Sequence, residues 1–231
     1  MKKKSKKPKF RISKSIFKEN IVKNLLLSAL SCLVFMGYFI SCASSPAETF
    51  PASYTAPPER PARPAIPELL MGTGIIPAED MAAFLVNSNT NIESDFAKEF
   101  ALIYKEEASM EGINHDVAFA QMLLETGYLR FGNLVLAEQN NFAGLGATGP
   151  GHPGLSFPDA RTGVRAQIQH LKAYASDAPL NQDLVNPRYF LVRLGSAPAI
   201  KGLAGTWAAD PLYADKINNI LERLYFFSFG F

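Results

Sequence analysis

The chain has 231 residues, of which 48% are hydrophobic and 19% are charged, and it contains two cysteines. This hydrophobic share excludes a wholly disordered chain, and the length suits one domain of about 150 residues with extensions. The net charge of +2 is unevenly placed, because residues 1–23 hold ten Lys and Arg and one acid, which leaves residues 24–231 at −7. We therefore expect no nucleic-acid partner, since phosphate binding needs clustered Lys and Arg on the folded part.

The N-terminus carries the features of an export signal. The basic run is followed by an apolar stretch from Leu25 to Ile40, whose 16 residues fall short of the about 20 that a spanning helix needs. An uncleaved signal anchor is the alternative. The stretch closes with Phe39-Ile40-Ser41-Cys42, which resembles the bacterial lipobox, in which the cysteine is acylated and becomes the new N-terminus. We expect residues 1–42 to be an export signal ending at Cys42. We also expect the protein to be extracytoplasmic and anchored to a membrane, in the periplasm or cell envelope.

The next segment, residues 43–77, is rich in proline. It holds eight of the 16 prolines in the chain, and proline removes amide donors and favours extended backbone. The composition predicts a semi-rigid tether, with a disordered leader as the alternative. Residues 78–231 are then predicted to form one domain.

Helical periodicity dominates from residue 78 onward. The pattern predicts a mainly α domain with a glycine-rich insertion at 139–163, because no strand–helix–strand alternation is present. Caps and breakers place the helices: Asn114 and Thr162 are predicted N-caps, and Gly112 and Gly127 are predicted helix ends. The predicted helices are Ala78–Leu85, Ile92–Met110, 114–127, 162–174, Pro187–Leu194 and a terminal helix that starts at Asp210-Pro211.

The segment from Ala118 to Gly127 holds the most informative acid of the chain. Glu125 follows an apolar run and falls in the last predicted turn of its helix. Apolar neighbours and the negative end of a helix both raise a carboxyl pKa. A glutamic acid that is protonated near neutral pH can donate the proton that glycosidic bond cleavage requires, and the acid of lysozyme is tuned by its surroundings in this way. From spacing alone, a solvated glutamate at a helix end is the alternative.

Three blocks of the sequence resemble the bacterial N-acetylglucosaminidase family that cleaves peptidoglycan, whose domain also occurs in autolysins and flagellar muramidases. The blocks are Ala118–Gly127, similar to Ala-Gln-x-x-x-Glu-Ser/Thr-Gly; Asn140–Leu145, similar to Asn-Asn-x-Phe-Gly-Ile; and Thr206–Ile217, similar to Tyr-Ala-Thr-Asp-Pro-x-Tyr-Ala-x-Lys-Ile/Leu. The resemblance covers about residues 95–225. It implies a lysozyme-like α+β fold in which a helical domain, with a glycine-rich loop or reduced hairpin, flanks a cleft.

The resemblance also implies roles for individual residues. Glu125 takes the place of the general acid, and Asn141, Phe142 and Gly144 take positions that shape the floor where the sugar sits. The alternative for this loop is a tight turn with an anchoring phenylalanine. Tyr213 is either packing in the last helix or a residue of the cleft, and its position on a periodic helix favours packing.

The sequence departs from the family pattern at two places. Family members usually place a second acid on a β-hairpin, whereas the acids near the blocks here are Glu138 and Asp159. Asp159 could orient the attacking water as a general base, or it could cap the following helix. Glu138 could be the second acid, or it could lie on a solvated face. Trp207 stands where a tyrosine often opens the last block; it can stack on a sugar but has no hydroxyl. This difference leaves room for reduced activity or for assistance by the N-acetyl group of the substrate.

The three histidines are scattered without ligand spacing, so no metal site and no cofactor are expected. The sequence therefore predicts an exported glycoside hydrolase that cleaves peptidoglycan glycan strands on the reducing side of N-acetylglucosamine. Two alternatives stay open. One is a lytic transglycosylase on the same scaffold, and the other is a non-catalytic lipoprotein that binds the cell wall.

Overall fold

The computed structural model describes residues 64–132 and 134–230. Within these residues it contains five α-helices and one antiparallel pair of very short strands. They are α1 (Ala78–Ser88), α2 (Ser94–Glu111), α3 (His115–Thr126), β1 (Ala147–Gly149), β2 (His152–Pro153), α4 (Ala160–Ala175) and α5 (Tyr213–Phe229). Single 3-10 turns lie at Ala137–Gln139, Tyr189–Leu191 and Ile200–Leu203. The mainly α class with a reduced hairpin is confirmed.

The predicted export signal, its Cys42 and the first part of the predicted tether lie outside the described residues. Among the helices that are described, none combines the length and the apolar character needed to cross a membrane.

The folded part begins earlier than the predicted boundary at residue 78. Leu70 and Ile76 are completely or almost completely buried. The Leu70 amide donates to Pro198 O at 3.0 Å, and its carbonyl accepts from the Asn114 amide at 2.8 Å. The proline content had indicated an extended chain, and the chain is extended here, but the apolar residues between Pro67 and Pro77 let it pack on the domain. The predicted tether therefore ends too late.

The predicted ends of α3 are confirmed. The Asn114 side chain accepts from the amides of Asp116 and Val117, and Gly127 closes the helix in the left-handed region at φ 58°. Three other predictions were wrong. The terminal helix α5 starts at Tyr213 with Leu212 as its N-cap, and not at Asp210-Pro211. The N-cap of α4 is Asp159 and not Thr162, and the predicted helix at Pro187–Leu194 is reduced to a 3-10 turn. The Asp159 side chain accepts from the Thr162 amide, so the residue predicted as the cap instead lies in the first turn of α4.

Helix α3 lies at the centre of the core. Every residue from Val117 to Leu123 has no exposed surface, so the helix is enclosed on all sides. Helix α5 packs along it, and α2 and α4 pack against each other beside it. Only the C-terminal end of α3 reaches the surface, where Leu124 and Glu125 are half-buried.

Two buried glutamates of α2 hold the segment that follows α4. The Glu107 carboxylate accepts from Arg161 at 2.9 Å and from Arg165 at 2.8 Å. The Glu111 carboxylate accepts from the Lys172 ammonium at 2.7 Å and from the Asn181 amide at 3.0 Å. Buried charges need such paired and hydrogen-bonded surroundings. These contacts hold α4 and the backbone at Asn181 against α2.

Candidate active site

Glu125 lies in the last turn of α3 and faces two donors from the C-terminal part of the chain. Its Oε1 accepts a hydrogen bond from Trp207 Nε1 at 3.0 Å and another from the Tyr213 hydroxyl. Its Oε2 points toward the glycine-rich loop, since a Cβ built on Gly144 would lie 3.7 Å from it. The two carboxyl oxygens therefore face different surroundings: Oε1 faces the protein and Oε2 faces the loop.

A concave cavity of about 200 Å³ opens at this carboxyl. The polar part of its wall includes Glu125, Asn141 and Gly144, and the apolar part comes from the segment after α3, at Phe131, Leu134 and Val135. An apolar wall with a few convergent polar groups is the usual composition of a small-molecule site. Glu125 thus faces a groove, which the general-acid role predicted from the sequence requires.

Burial raises the pKa of Glu125 above its usual value, and this effect outweighs the hydrogen bonds from Tyr213 and Trp207, which lower it. The C-terminal position in α3 acts in the same direction as burial, because the helix end carries partial negative charge. A carboxyl in these surroundings holds its proton to a higher pH than an exposed glutamate does. That is the property of a general acid.

The hydrogen bonds also determine which oxygen carries that proton. Oε1 already accepts two hydrogen bonds, and a carbonyl-type oxygen has two lone pairs to offer. In the acid form of Glu125 this arrangement favours the hydrogen on Oε2, the oxygen that faces the loop and the cavity.

Tyr213 lies at the start of α5 with its ring buried and its hydroxyl between two partners. The hydroxyl donates to Glu125 and accepts from Gln121 Nε2 at 3.0 Å. Burial and the neighbouring carboxylate raise the pKa of Tyr213, so it stays a donor at all physiological pH values. The ring of Tyr213 packs in the core and its hydroxyl reaches Glu125, so the structure combines the two interpretations of this residue. The sequence did not predict the contact with Glu125.

Trp207 is half-buried at the end of a small aromatic cluster. Its ring lies 5.0 Å from the His170 ring and 5.7 Å from the Tyr174 ring, centroid to centroid. The cluster orients the indole so that its N–H donates to Glu125. Position 207 thus offers an N–H where the resemblance implied a tyrosine hydroxyl, and the Tyr213 hydroxyl reaches the same carboxyl oxygen.

The comparisons with known proteins assign the chain to a family. The glucosaminidase family model, described as mannosyl-glycoprotein endo-beta-N-acetylglucosaminidase, matches residues 101–226, more than half of the chain. The chain belongs to the glucosaminidase family. A protein of Borreliella burgdorferi described as an uncharacterized protein is 43% identical over 155 residues, which are 67% of this chain and 76% of that protein. No solved structure matches significantly.

The loop of this glucosaminidase domain is held in place by Asn141. Its amide donates to Leu145 O at 2.9 Å and to Leu155 O at 3.0 Å, and its oxygen accepts from the Leu145 amide at 2.9 Å. The adjacent Gly144 has φ 63°, a left-handed conformation that favours glycine. Asn141 and Gly144 line the cavity, and the buried asparagine shapes the wall by fixing the turn. Their contact with a sugar stays a prediction.

Phe142 does not take the predicted position on the sugar floor. Its side chain is 4% exposed and packs edge-on against Phe100, with centroids 4.8 Å apart, and more loosely against Phe131. Apolar burial against α2 wins over exposure in the cleft. Phe142 is the anchor of the loop, which was the alternative interpretation, and direct contact of its ring with a sugar was the wrong one for this conformation.

The two candidate second acids of the glucosaminidase domain lie away from the cavity wall. Asp159 is exposed and caps α4, where its Oδ1 accepts from the Thr162 amide at 2.8 Å, and hydrogen bonds with Thr162 hold its pKa below the usual range. Glu138 is exposed in the 3-10 turn before Asn140. Among the described residues, Glu125 is the only acid that lines the cavity. The capping alternative for Asp159 is what the structure shows.

Within residues 64–132 and 134–230, no three His, Cys, Asp or Glu side chains are grouped so that they could hold a metal ion. The site residues that sequence reasoning missed are the buried amides behind Tyr213, above all Gln121. The signal was present, because a glutamine inside an otherwise apolar helix must find hydrogen-bond partners, but its partner could not be named from spacing.

Proposed function

We propose that this protein is a glycan-strand hydrolase of the β-N-acetylglucosaminidase type that acts on peptidoglycan, with Glu125 as the general acid. The family assignment supports the class of reaction. The observation that carries the residue assignment is the asymmetry of the Glu125 carboxyl. One oxygen is saturated by Trp207 and Tyr213, the other faces a concave cavity, and burial raises the pKa.

In the proposed reaction, the Oε2–H of Glu125 donates its proton to the leaving glycosidic oxygen while the bond from that oxygen to the anomeric carbon breaks. The electron pair of the broken bond stays with the leaving oxygen, which becomes a hydroxyl. Glu125 is left as a carboxylate, and the donors from Trp207 and Tyr213 stabilise the charge that appears on it. A water molecule later gives its hydroxyl to the anomeric carbon and its remaining proton to Glu125, which restores the acid.

The anomeric carbon needs a nucleophile or a base opposite the acid. Because Glu125 is the only acid in the described cavity wall, we propose that the carbonyl oxygen of the substrate's N-acetyl group bonds to the anomeric carbon as the glycosidic bond breaks, as in substrate-assisted glycosidases. Water then attacks the anomeric carbon and breaks its bond to the acetyl oxygen, which restores the N-acetyl group. This route retains the anomeric configuration. NMR of the first products in D₂O tests it, since an inverted anomer would show that a water is activated by a group outside this wall.

The decisive experiment is digestion of purified peptidoglycan by the wild type and by Glu125→Gln, followed by mass spectrometry of the released fragments. We expect the variant to lose about 10²–10⁴-fold in rate, the typical contribution of a general acid, and to remain folded because Gln keeps the acceptor for both donors. Glu138→Gln is the matched control, since it removes an exposed acid from the nearby loop, and it should release fragments at the wild-type rate. An active Glu125→Gln enzyme would disprove the assignment.

The same digestion separates the alternatives. A hydrolase leaves reducing ends at N-acetylglucosamine, whereas a lytic transglycosylase leaves 1,6-anhydro ends. The single acid in the described wall also fits a protein that binds the cell wall without turnover. Retention of glycan strands by a wild-type protein that releases nothing would favour that function over hydrolysis.

We further propose that the protein works outside the cytoplasm, anchored through a lipid on Cys42. The support is the order of features in the sequence: a basic run, an apolar stretch and Phe39-Ile40-Ser41-Cys42. Metabolic labelling with a fatty acid should mark the wild type, and Cys42→Ser should lose the label and leave the membrane fraction. A variant that keeps the label would show that the acyl chain is attached elsewhere.

A further inference from the structure

A chain of buried hydrogen bonds leads from the core to Glu125. Gln121 on α3 and Gln167 on α4 have no exposed surface, and a buried amide is costly unless its hydrogen bonds are made. Both are bonded to each other, with Gln167 Nε2 3.0 Å from Ala118 O and 2.9 Å from Gln121 Oε1. Gln121 Nε2 continues to the Tyr213 hydroxyl at 3.0 Å, and that hydroxyl reaches Glu125.

The direction of this chain is fixed by one backbone group. The Ala118 carbonyl can only accept, so the Gln167 atom beside it must be the nitrogen. The other hydrogen of that nitrogen then points to Gln121, which must present its oxygen there. Gln167 Oε1 is left to accept from the Tyr104 hydroxyl at 2.6 Å, as the geometry shows.

The order of the remaining donors follows. Gln121 presents its oxygen to Gln167, so it presents its NH₂ group to Tyr213. The hydroxyl of Tyr213 therefore accepts on that side and has its hydrogen free for Glu125 Oε1. Each donor in the series points the same way, toward the carboxyl group.

We propose that Gln167 and Gln121 are positioning residues that orient the Tyr213 hydroxyl as a donor to Glu125 and thereby keep the catalytic proton on the cavity-facing Oε2. The proposal rests on the proposed role of Glu125 as general acid. Without this orientation the Tyr213 oxygen could accept from Glu125 instead. The proton of Glu125 would then lie on Oε1, pointing into the protein, where it cannot reach a glycosidic oxygen.

Two substitutions at position 121 test the direction. Gln121→Glu keeps the shape but offers Tyr213 an acceptor, so the tyrosine hydrogen turns away from Glu125. Gln121→Met keeps the volume and removes both hydrogen bonds. We expect each to lower kcat about tenfold, the effect of losing one well-made hydrogen bond to a charged group, with KM within about twofold of wild type.

The matched control is Gln169→Met. Gln169 is also on α4 and fully buried, but its amide donates to Asp183 O at 2.9 Å and its oxygen accepts from the Val185 amide at 2.9 Å, away from the chain described above. It should lower the melting temperature about as much as Gln121→Met and leave kcat unchanged. If neither variant at position 121 folds, Gln167→Met makes the same test one step further from Glu125.

A second readout does not depend on turnover. Titration of the Glu125 side-chain carbon by ¹³C NMR reports its midpoint directly, and the hydrogen bond from Tyr213 lowers the pKa of Glu125. Gln121→Met, which adds no charge beside Glu125, should therefore move the midpoint to higher pH than in Gln169→Met. A wild type without glycan release would sink the proposed function but leave this titration interpretable. Unchanged kcat and an unchanged midpoint in the position-121 variants, or an equal loss of kcat in Gln169→Met, would overturn the positioning role.

Discussion

The two ends of α3 carry two carboxyl groups that the fold treats differently. Asp116, in the first turn, has no exposed surface and accepts from the amides of Ile75 at 2.9 Å and Ile76 at 3.2 Å. Glu125, in the last turn, has an oxygen that faces a cavity. Both accept a tyrosine hydroxyl from α5, Tyr225 at the Asp116 end and Tyr213 at the Glu125 end.

The difference shows that the tyrosine alone does not decide what a carboxylate does. At the start of a helix the dipole favours negative charge, and Asp116 also receives backbone donors on both oxygens. At the end of the helix the dipole disfavours the charge, and Glu125 receives both donors on one oxygen. The first arrangement joins the N-terminal segment to the core, and the second leaves an O–H available for chemistry.

Replacing each of the two carboxyl groups by its amide should separate the two ends of α3 most strongly. Asp116→Asn places an NH₂ group against buried donors on whichever side it turns, so we expect it to lower the free energy of unfolding by about 3 kcal/mol or more. Glu125→Gln resembles the protonated acid and should cost less than about 1 kcal/mol. Urea unfolding at neutral pH measures both, and equal losses would show that the two ends are energetically alike.

The free energy of unfolding should also depend on pH through His170, which packs on Trp207 at the Glu125 end of α3. Burial and the Arg188 charge lower the pKa of His170 from 6.5 to about 4. Between these values the unfolded chain binds more protons, so stability is full above pH 6.5 and falls as the pH drops toward 4, by on the order of 3 kcal/mol.

Replacing this histidine should remove that slope. His170→Gln keeps a polar partner for Asn186, whose Nδ2 lies 2.9 Å from His170 Nδ1. The variant should lose the part of the slope that His170 contributes and keep the part that comes from carboxyl groups with shifted pKa values. His152→Gln, in the exposed hairpin, should keep the wild-type slope, and a flat profile for the wild type itself would contradict the assignment.

Removing one hydroxyl at each end of α5 sharpens the comparison. Tyr213→Phe deletes a hydrogen bond that lowers the pKa of Glu125, so the alkaline limb of the pH–rate profile should move to higher pH, with kcat about tenfold lower. Tyr225→Phe removes a donor to Asp116 and should cost about 1 kcal/mol of stability without moving that limb. A shift of the limb in both variants would point to a general effect of packing.

The smallest expected effect concerns Asp159, the acid that caps α4. Asp159→Ala should lower stability by about 1 kcal/mol because the Thr162 amide loses its partner, and Asp159→Asn should restore most of it. Glycan release should be nearly unchanged in both. A loss of activity in Asp159→Asn with an intact melting temperature would return this residue to the catalytic groups.

Local signals predicted much of this arrangement. The Asn114 cap, the left-handed Gly127 and the apolar run between them placed α3 and the end at which Glu125 lies. The donors to Glu125 come from positions 82 and 88 residues further along the chain, and no local pattern encodes such a distance. Their arrival depends on how α5 packs along α3, which is a property of the whole core.

The errors have the same origin. Proline composition indicated an extended chain before residue 78, but it could not show that Leu70 pairs with Pro198. The family resemblance implied a place for the Phe142 ring on the floor of the cleft, whereas contact with Phe100 places it in the core. Backbone conformation was readable from the residues, and the partners that tertiary packing brings were not.

Ala118 contributes no side chain to the cleft, yet its carbonyl determines how the amides behind Tyr213 are oriented. A peptide carbonyl is common to all twenty amino acids, so point mutation cannot delete it while the helix persists. The direction of the hydrogen bonds that lead to Glu125 therefore depends on the helix backbone. The residues that line the cleft can change during evolution without any selection on the side chain at position 118.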